Sequence, residues 1–140
     1  TKCRPETDGI FHPEPSRFVE LVIQVVRTAG VSNRVIIQSF DLRTLRHARN
    51  VEPDLQIAVL VDQEGKVSPG SSIDQLGFVP DIFSPDYRLV NKELIENARE
   101  HGIKVIPWTV NAVAEMTRMK QLGADGLITD YPDLGIKLAE

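Results

Sequence analysis

A chain of 140 residues with 16 Lys and Arg against 20 Asp and Glu carries a formal charge of −4 and has the length of one compact unit. Both signs are spread along the sequence, so no basic stripe is present to attract nucleic acid or anionic lipid. The lone cysteine, Cys3, excludes an internal disulfide and leaves the compartment open; no Cys/His spacing suits zinc, and no apolar run nears the roughly 20 residues of a membrane span.

The chain opens at Thr1 in place of methionine, as expected of a cleaved chain or an excerpt of a longer one. Its first stretch, "TKCRPETDGIFHPEPS", is rich in proline and has no period, which predicts a long loop, either functional or a frayed end. After Ser16, Phe18, Leu21, Val22, Val25 and Val26 fall on one helical face, and Gly30 is placed to stop that helix. "RVIIQSF" (34–40) reads as the first strand, with Asp41 capping the next helix, and "QIAVLV" (56–61) as the second. "DQEGKVSPGSS" (62–72) reads as a surface loop before the third strand, "DIFSPDY" (81–87). Asn91 and Gly102 bracket a helix that leads to "KVIPWTV" (104–110). Asn111 and Gly123 bracket another, which turns Val113, Met116, Met119 and Leu122 inward ahead of a fifth strand, "GLITDYP" (126–132). The methionines fit core filler better than a ligand box.

Alternating strands and helices, with strands apolar on both faces, predict a parallel sheet covered by helices. Two architectures fit: a complete doubly wound domain of flavodoxin type, which length favours, or part of an eight-stranded (β/α) barrel. In both, ligands meet the carboxyl ends of the strands. The candidates are therefore Ser39, Phe40 and Asp41, Asp62, Ser84 to Tyr87, Trp108, Thr109 and Asn111, and Thr129 to Tyr131. Asp41 and Asn111 have caps as a competing role, and Asp62 and Asp86 solvated turns. None of the histidines is well placed as a base: His47 falls inside a helix, His101 in a last helical turn, and His12 in the opening loop. No GxSxG, HExxH, P-loop or GxGxxG string occurs. A receiver-type module would need an acidic pair after the first strand, and only "QSFD" is there, which weakens the flavodoxin-like alternative.

Three strings, "VIIQSFDLRTL" (35–45), "VIPWTVN" (105–111) and "LGADGLITDYPDL" (122–134), with "IFSPDY" between them, resemble the glycerophosphodiester phosphodiesterase family in order and separation. The resemblance implies an α/β fold, a TIM barrel. Residues 1–140 would supply its C-terminal portion, about strands 4 to 8, five βα units of a single domain whose strands 1 to 3 are missing. The family's His-Arg, Glu-x-Asp and His-Asp motifs are absent. "TK" at residues 1 and 2 matches the end of its Glu-x-Lys motif, which would put a metal-binding glutamate immediately before Thr1. Lys2 would then contact the substrate phosphate, its compact ammonium suiting a phosphoryl oxygen. Phe40 and Trp108 would form an apolar wall, with the indole N–H free to donate to a substrate oxygen.

The implied reaction is hydrolysis of a glycerophosphodiester to glycerol 3-phosphate and an alcohol, assisted by Ca²⁺ or Mg²⁺ and two histidines, through a cyclic phosphate. Metal ligands and catalytic histidines would lie outside this chain, which alone should be inactive. The implied partners are the small-molecule substrate and either the missing half of the barrel or another copy. A barrel that kept its walls but lost catalysis, and binds a phosphate ligand, is the alternative in a different class; the receiver-type module is the third.

Overall fold

The β-branched runs become strands and the amphipathic runs helices, in strict alternation. A computed structural model describes residues 1–139. In chain order it contains α1 (Pro15–Thr28), β1 (Ile36–Ser39), α2 (Leu42–Val51), β2 (Gln56–Val61), α3 (Pro69–Leu76), β3 (Ile82–Pro85), α4 (Lys92–Glu100), β4 (Lys104–Val105), α5 (Val113–Leu122) and α6 (Pro132–Ala139). Local chemistry sets most boundaries. The Asp41 and Asn91 side chains accept from the Arg43 and Leu94 amides and start α2 and α4 as expected. Gly30, Gly102 and Gly123 follow helices with φ of 66°, 70° and 91°, a region that residues with a Cβ disfavour. Among the described residues no helix is long and apolar enough to cross a membrane.

All four strands are parallel and lie in the order β1-β2-β3-β4. A doubly wound domain reverses its strand order at a switch point, and this sheet has no reversal, which corrects the flavodoxin-like alternative. Ile37, Ile57, Val59, Phe83 and Val105 point to one side. There they pack with Val19 and Ile23 of α1, Leu45 and Ala48 of α2, Ile95 and Ala98 of α4, and Met116 and Met119 of α5. The opposite face is only partly covered: Ile36 is 44% exposed, Gln38 is exposed and Leu60 half-buried. The cover of helices expected from strands apolar on both faces is thus present on one.

Several expectations need correction. Residues 126–132 form no regular strand, although Asp125, Ile128 and Val110 hydrogen-bond across to Val105, Pro107 and Ile128 at 2.8–2.9 Å. Pro107 has no N–H to give, and between these bonds one segment advances from Val105 to Pro107 while the other advances from Asp125 to Ile128. That mismatch of one residue is a bulge, and it interrupts the ladder. In α1 the inward face is Val19, Ile23 and Val26, whereas Leu21 and Val25 are exposed. Its apolar residues wrap far enough around the helix to offer two overlapping faces, and packing against α2 and the sheet selects one. Val113 likewise is 48% exposed, while Met116 and Met119 are buried as expected. The expected loop 62–72 ends early: Ser68 and Ser71 form a reciprocal capping box, Pro69 takes the first helical position, and α3 begins there.

Candidate functional site

The opening loop is held in place at several points. Cys3 is 4% exposed, Pro5–Thr7 forms a 3₁₀ turn, and the Thr1 hydroxyl donates to Ser39 Oγ at 2.8 Å. The Thr1 amine also bonds the Gln38 carbonyl, at the free edge of β1. Arg43, the second residue of α2, provides the main tie. Its guanidinium is forked onto Asp41 (Nε at 3.1 Å from both oxygens, Nη2 at 2.7 Å) and reaches Asp8 of the loop at 2.8 and 3.3 Å. Burial pushes the Asp41 carboxyl up, but the hydrogen bonds from Arg43 outweigh it and hold the group below its ordinary value of 3.8. Those same bonds, from Asp41 first and then Asp8, raise the Arg43 pKa.

His12 completes the loop. The Arg4 amide donates to Nε2 at 3.1 Å, so that nitrogen is an acceptor, and the ring proton sits on Nδ1, 2.9 Å from the Pro13 carbonyl. The Thr7 hydroxyl also lies 2.9 Å from Nε2, so the ring is held on both sides by the loop and has a structural role. His101 closes α4 with Nδ1 2.8 Å from the Asn97 carbonyl, and His47 lies within α2, its Nε2 buried without a partner.

Over this loop and the carboxyl ends of the strands lies an open cleft of about 1000 Å³. Lys2, Phe40 and Trp108 line it together, with Gln38, Asp41, Asp62 and Thr109 among their neighbours. Phe40 meets Trp108 edge to face, ring centres 5.6 Å apart at 87°. Trp108 is positioned by β3. Its amide donates to the Pro85 carbonyl at 3.0 Å, its own carbonyl accepts from the Tyr87 amide at 2.9 Å, and its indole N–H donates to the Ser84 carbonyl at 2.8 Å. The indole proton expected to be free for substrate is therefore engaged, and Trp108 offers the cleft an apolar edge. The Trp108–Thr109 peptide is cis.

Asp86 and Asn111, two of the other candidates, do structural work. Asp86, 4% exposed, accepts from Arg88 (2.6 and 2.8 Å) and from Gln63 (3.2 Å), tying the loop after β2 to the end of β3. Burial raises its pKa, but the Arg88 bonds more than offset this and hold it below 3.8. Asn111 does not cap α5, whose N-cap is Ala112 with no side-chain bond. Instead its Oδ1 accepts from the Asp130 amide (3.0 Å) and the Thr129 hydroxyl (3.2 Å), and its Nδ2 donates to Asp130 (2.8 Å), latching the two last segments together. Three features escaped the sequence reading: Asp8, Arg43 and Arg4, which also lines the cleft. A signal existed only for Arg4, which stands two residues after Lys2.

Among the described residues no group of three or more His, Cys, Asp or Glu is arranged to hold a metal ion, so the residues present do not by themselves build a metal site. Compared with known proteins, residues 5–134 match the model of the Glycerophosphoryl diester phosphodiesterase family. The chain belongs to that family. A glycerophosphodiester phosphodiesterase from Caldanaerobacter subterraneus subsp. tengcongensis is 35% identical over 121 residues, 85% of this chain and 48% of the relative. A solved glycerophosphodiester phosphodiesterase from Parabacteroides distasonis shares the fold at a TM-score of 0.78 and 22% identity, over 91% of this chain and 53% of that one. An Oleispira antarctica phosphodiesterase, solved in complex with the product sn-glycerol-3-phosphate, aligns at a TM-score of 0.74 and 14% identity, over 89% of this chain and 50% of that one. The chain thus spans about half the length of these three proteins.

Proposed function

We propose that residues 1–140 are the C-terminal five βα units, about strands 4 to 8, of a TIM barrel that hydrolyses glycerophosphodiesters to glycerol 3-phosphate and an alcohol. The observation that carries this is the convergence of Lys2, Phe40 and Trp108 on one cleft at the carboxyl ends of the strands, in a chain that belongs to the family. The one-directional strand order and the half-open face of the sheet support a barrel wall whose remaining strands pair along β1.

Within this proposal the Lys2 ammonium contacts a phosphoryl oxygen of the diester and neutralises part of its charge. Phe40 and Trp108 form a wall for the glycerol carbons and keep water from that side of the substrate. A divalent ion, Ca²⁺ or Mg²⁺, supplies charge neutralisation at the phosphate when bound, and its ligands, among them a glutamate immediately before Thr1, lie outside residues 1–140. The acid and base lie outside as well.

The test compares the full-length parent with residues 1–140 on glycerophosphocholine, with and without chelator. The parent is expected to release glycerol 3-phosphate only with divalent metal, and the 140 residues alone to release none. An inactive parent, or metal-dependent turnover by the 140 residues, contradicts the proposal.

A further inference from the structure

We propose that Arg4 is a second phosphate-binding side chain of the cleft, acting beside Lys2; this rests on the function proposed above and adds a residue to its substrate site. Arg4 has an extended backbone, φ −136° and ψ 132°. In an extended chain residues two apart share a side, about 6.6 Å from each other, which suits Lys2 and Arg4 to one ligand. Cys3 between them is buried at 4% exposure, and both cations line the cleft.

The Arg4 backbone is fixed from both directions. Its amide donates to His12 Nε2 at 3.1 Å, and its carbonyl accepts from the Thr7 amide at 2.9 Å and the Thr7 hydroxyl at 3.0 Å. His12 in turn lies 3.8 Å from Asp8, which Arg43 ties to α2. The guanidinium by contrast is exposed, and among the described residues it has neither a hydrogen bond nor an ion pair. A rigidly mounted backbone carrying an unengaged guanidinium into a cleft is suited to an anion. The other charged side chains lining the cleft are the acids Glu6, Asp41, Asp62 and Glu64, and Arg43 already neutralises Asp41. Lys2 and Arg4 are thus the cleft's cationic lining. The planar fork of Arg4 accommodates two oxygens of one phosphate, where Lys2 supplies a point charge.

The experiment titrates sn-glycerol 3-phosphate into the full-length parent by calorimetry and follows glycerophosphocholine hydrolysis in parallel, for the native protein, Arg4→Gln and Arg4→Lys. Loss of a charge-assisted bond to phosphate is expected to weaken binding about tenfold in Arg4→Gln, with KM raised in step and kcat nearly unchanged. Arg4→Lys recovers the charge without the fork and is expected to lose about threefold. The melting temperature of Arg4→Gln should match the native protein, because the guanidinium has no partner to lose. Binding within about twofold of native in Arg4→Gln overturns the proposal, as does a fall in kcat with binding unchanged. A parent that binds glycerol 3-phosphate through Arg4 without hydrolysing diesters leaves Arg4 assigned and overturns the hydrolase function. A parent that does neither overturns both.

Discussion

Asp86 shows how one residue can look like chemistry in the sequence and prove to be architecture. It sits at a strand's carboxyl end, where ligands meet parallel sheets, yet both carboxylate oxygens are occupied by Arg88, with Gln63 joining at Oδ2. Its native pKa is depressed, so the stabilisation it supplies is present above its ordinary value of 3.8 and is lost as pH falls through the lower native value. Asp86→Asn is accordingly expected to be less stable than native at neutral pH and to show a shallower loss in acid. Urea midpoints measured from pH 7 down to pH 2 check this, and parallel curves for the two proteins would remove the carboxylate from the account. Phe40 and Trp108 behaved otherwise. Their type and position were readable, but the indole hydrogen bond to Ser84 depends on a segment 24 residues away in sequence.

The opening loop is the element that the sequence described least well. Proline content and the lack of period predicted irregular backbone and left open whether it was ordered. Its order comes from Arg43, a residue that belongs by position to α2 and reaches back to Asp8 across a separation of 35. Partly exposed ion pairs contribute little to global stability, so the value of this tie is local order. Arg43→Ala is expected to lower the thermal midpoint modestly, because Asp41 and Asp8 lose the guanidinium they bond, and to speed amide exchange most at Arg4, Thr7 and Gly9, whose amides are bonded within the loop. Exchange rates equal to native at those amides would show that the loop orders itself without the strap. By comparison α2 and α4 were legible at their starts, because Asp41 and Asn91 bond amides two and three residues away. Asn111 failed as a cap because residues 129 and 130, distant in sequence, take its side chain first.

For the whole molecule, the decisive fact among the described residues is an open strand edge. β1 has no neighbouring strand on one side, and Ile36 (44%), Val25 (68%), Val113 (48%) and Ile136 (63%) are exposed. An unpaired strand edge and exposed apolar side chains each favour association. Under the proposed barrel, residues 1–140 on their own are expected to sediment as dimers or larger species, and co-expression with a segment that would supply strands 1 to 3 to give a single defined complex. Sedimentation velocity distinguishes these outcomes, and a monodisperse, cooperatively folding 140-residue monomer would contradict the unfinished-barrel account.

By itself the sequence determined the alternation of strands and helices and most helix ends, because these depend on residues close together along the chain, and the resemblance to the family, because it is a matter of strings and their order along the chain. Periodicity, caps and glycine stops act within a few residues, and a motif is a local string. Only the tertiary structure decided the strand order, the face that α1 buries and the arrival of Arg4 in the cleft that Lys2, Phe40 and Trp108 line. Each of these turns on which distant segment reaches a hydrogen-bond partner or an apolar face first. Local pattern is silent on that competition, and packing resolves it.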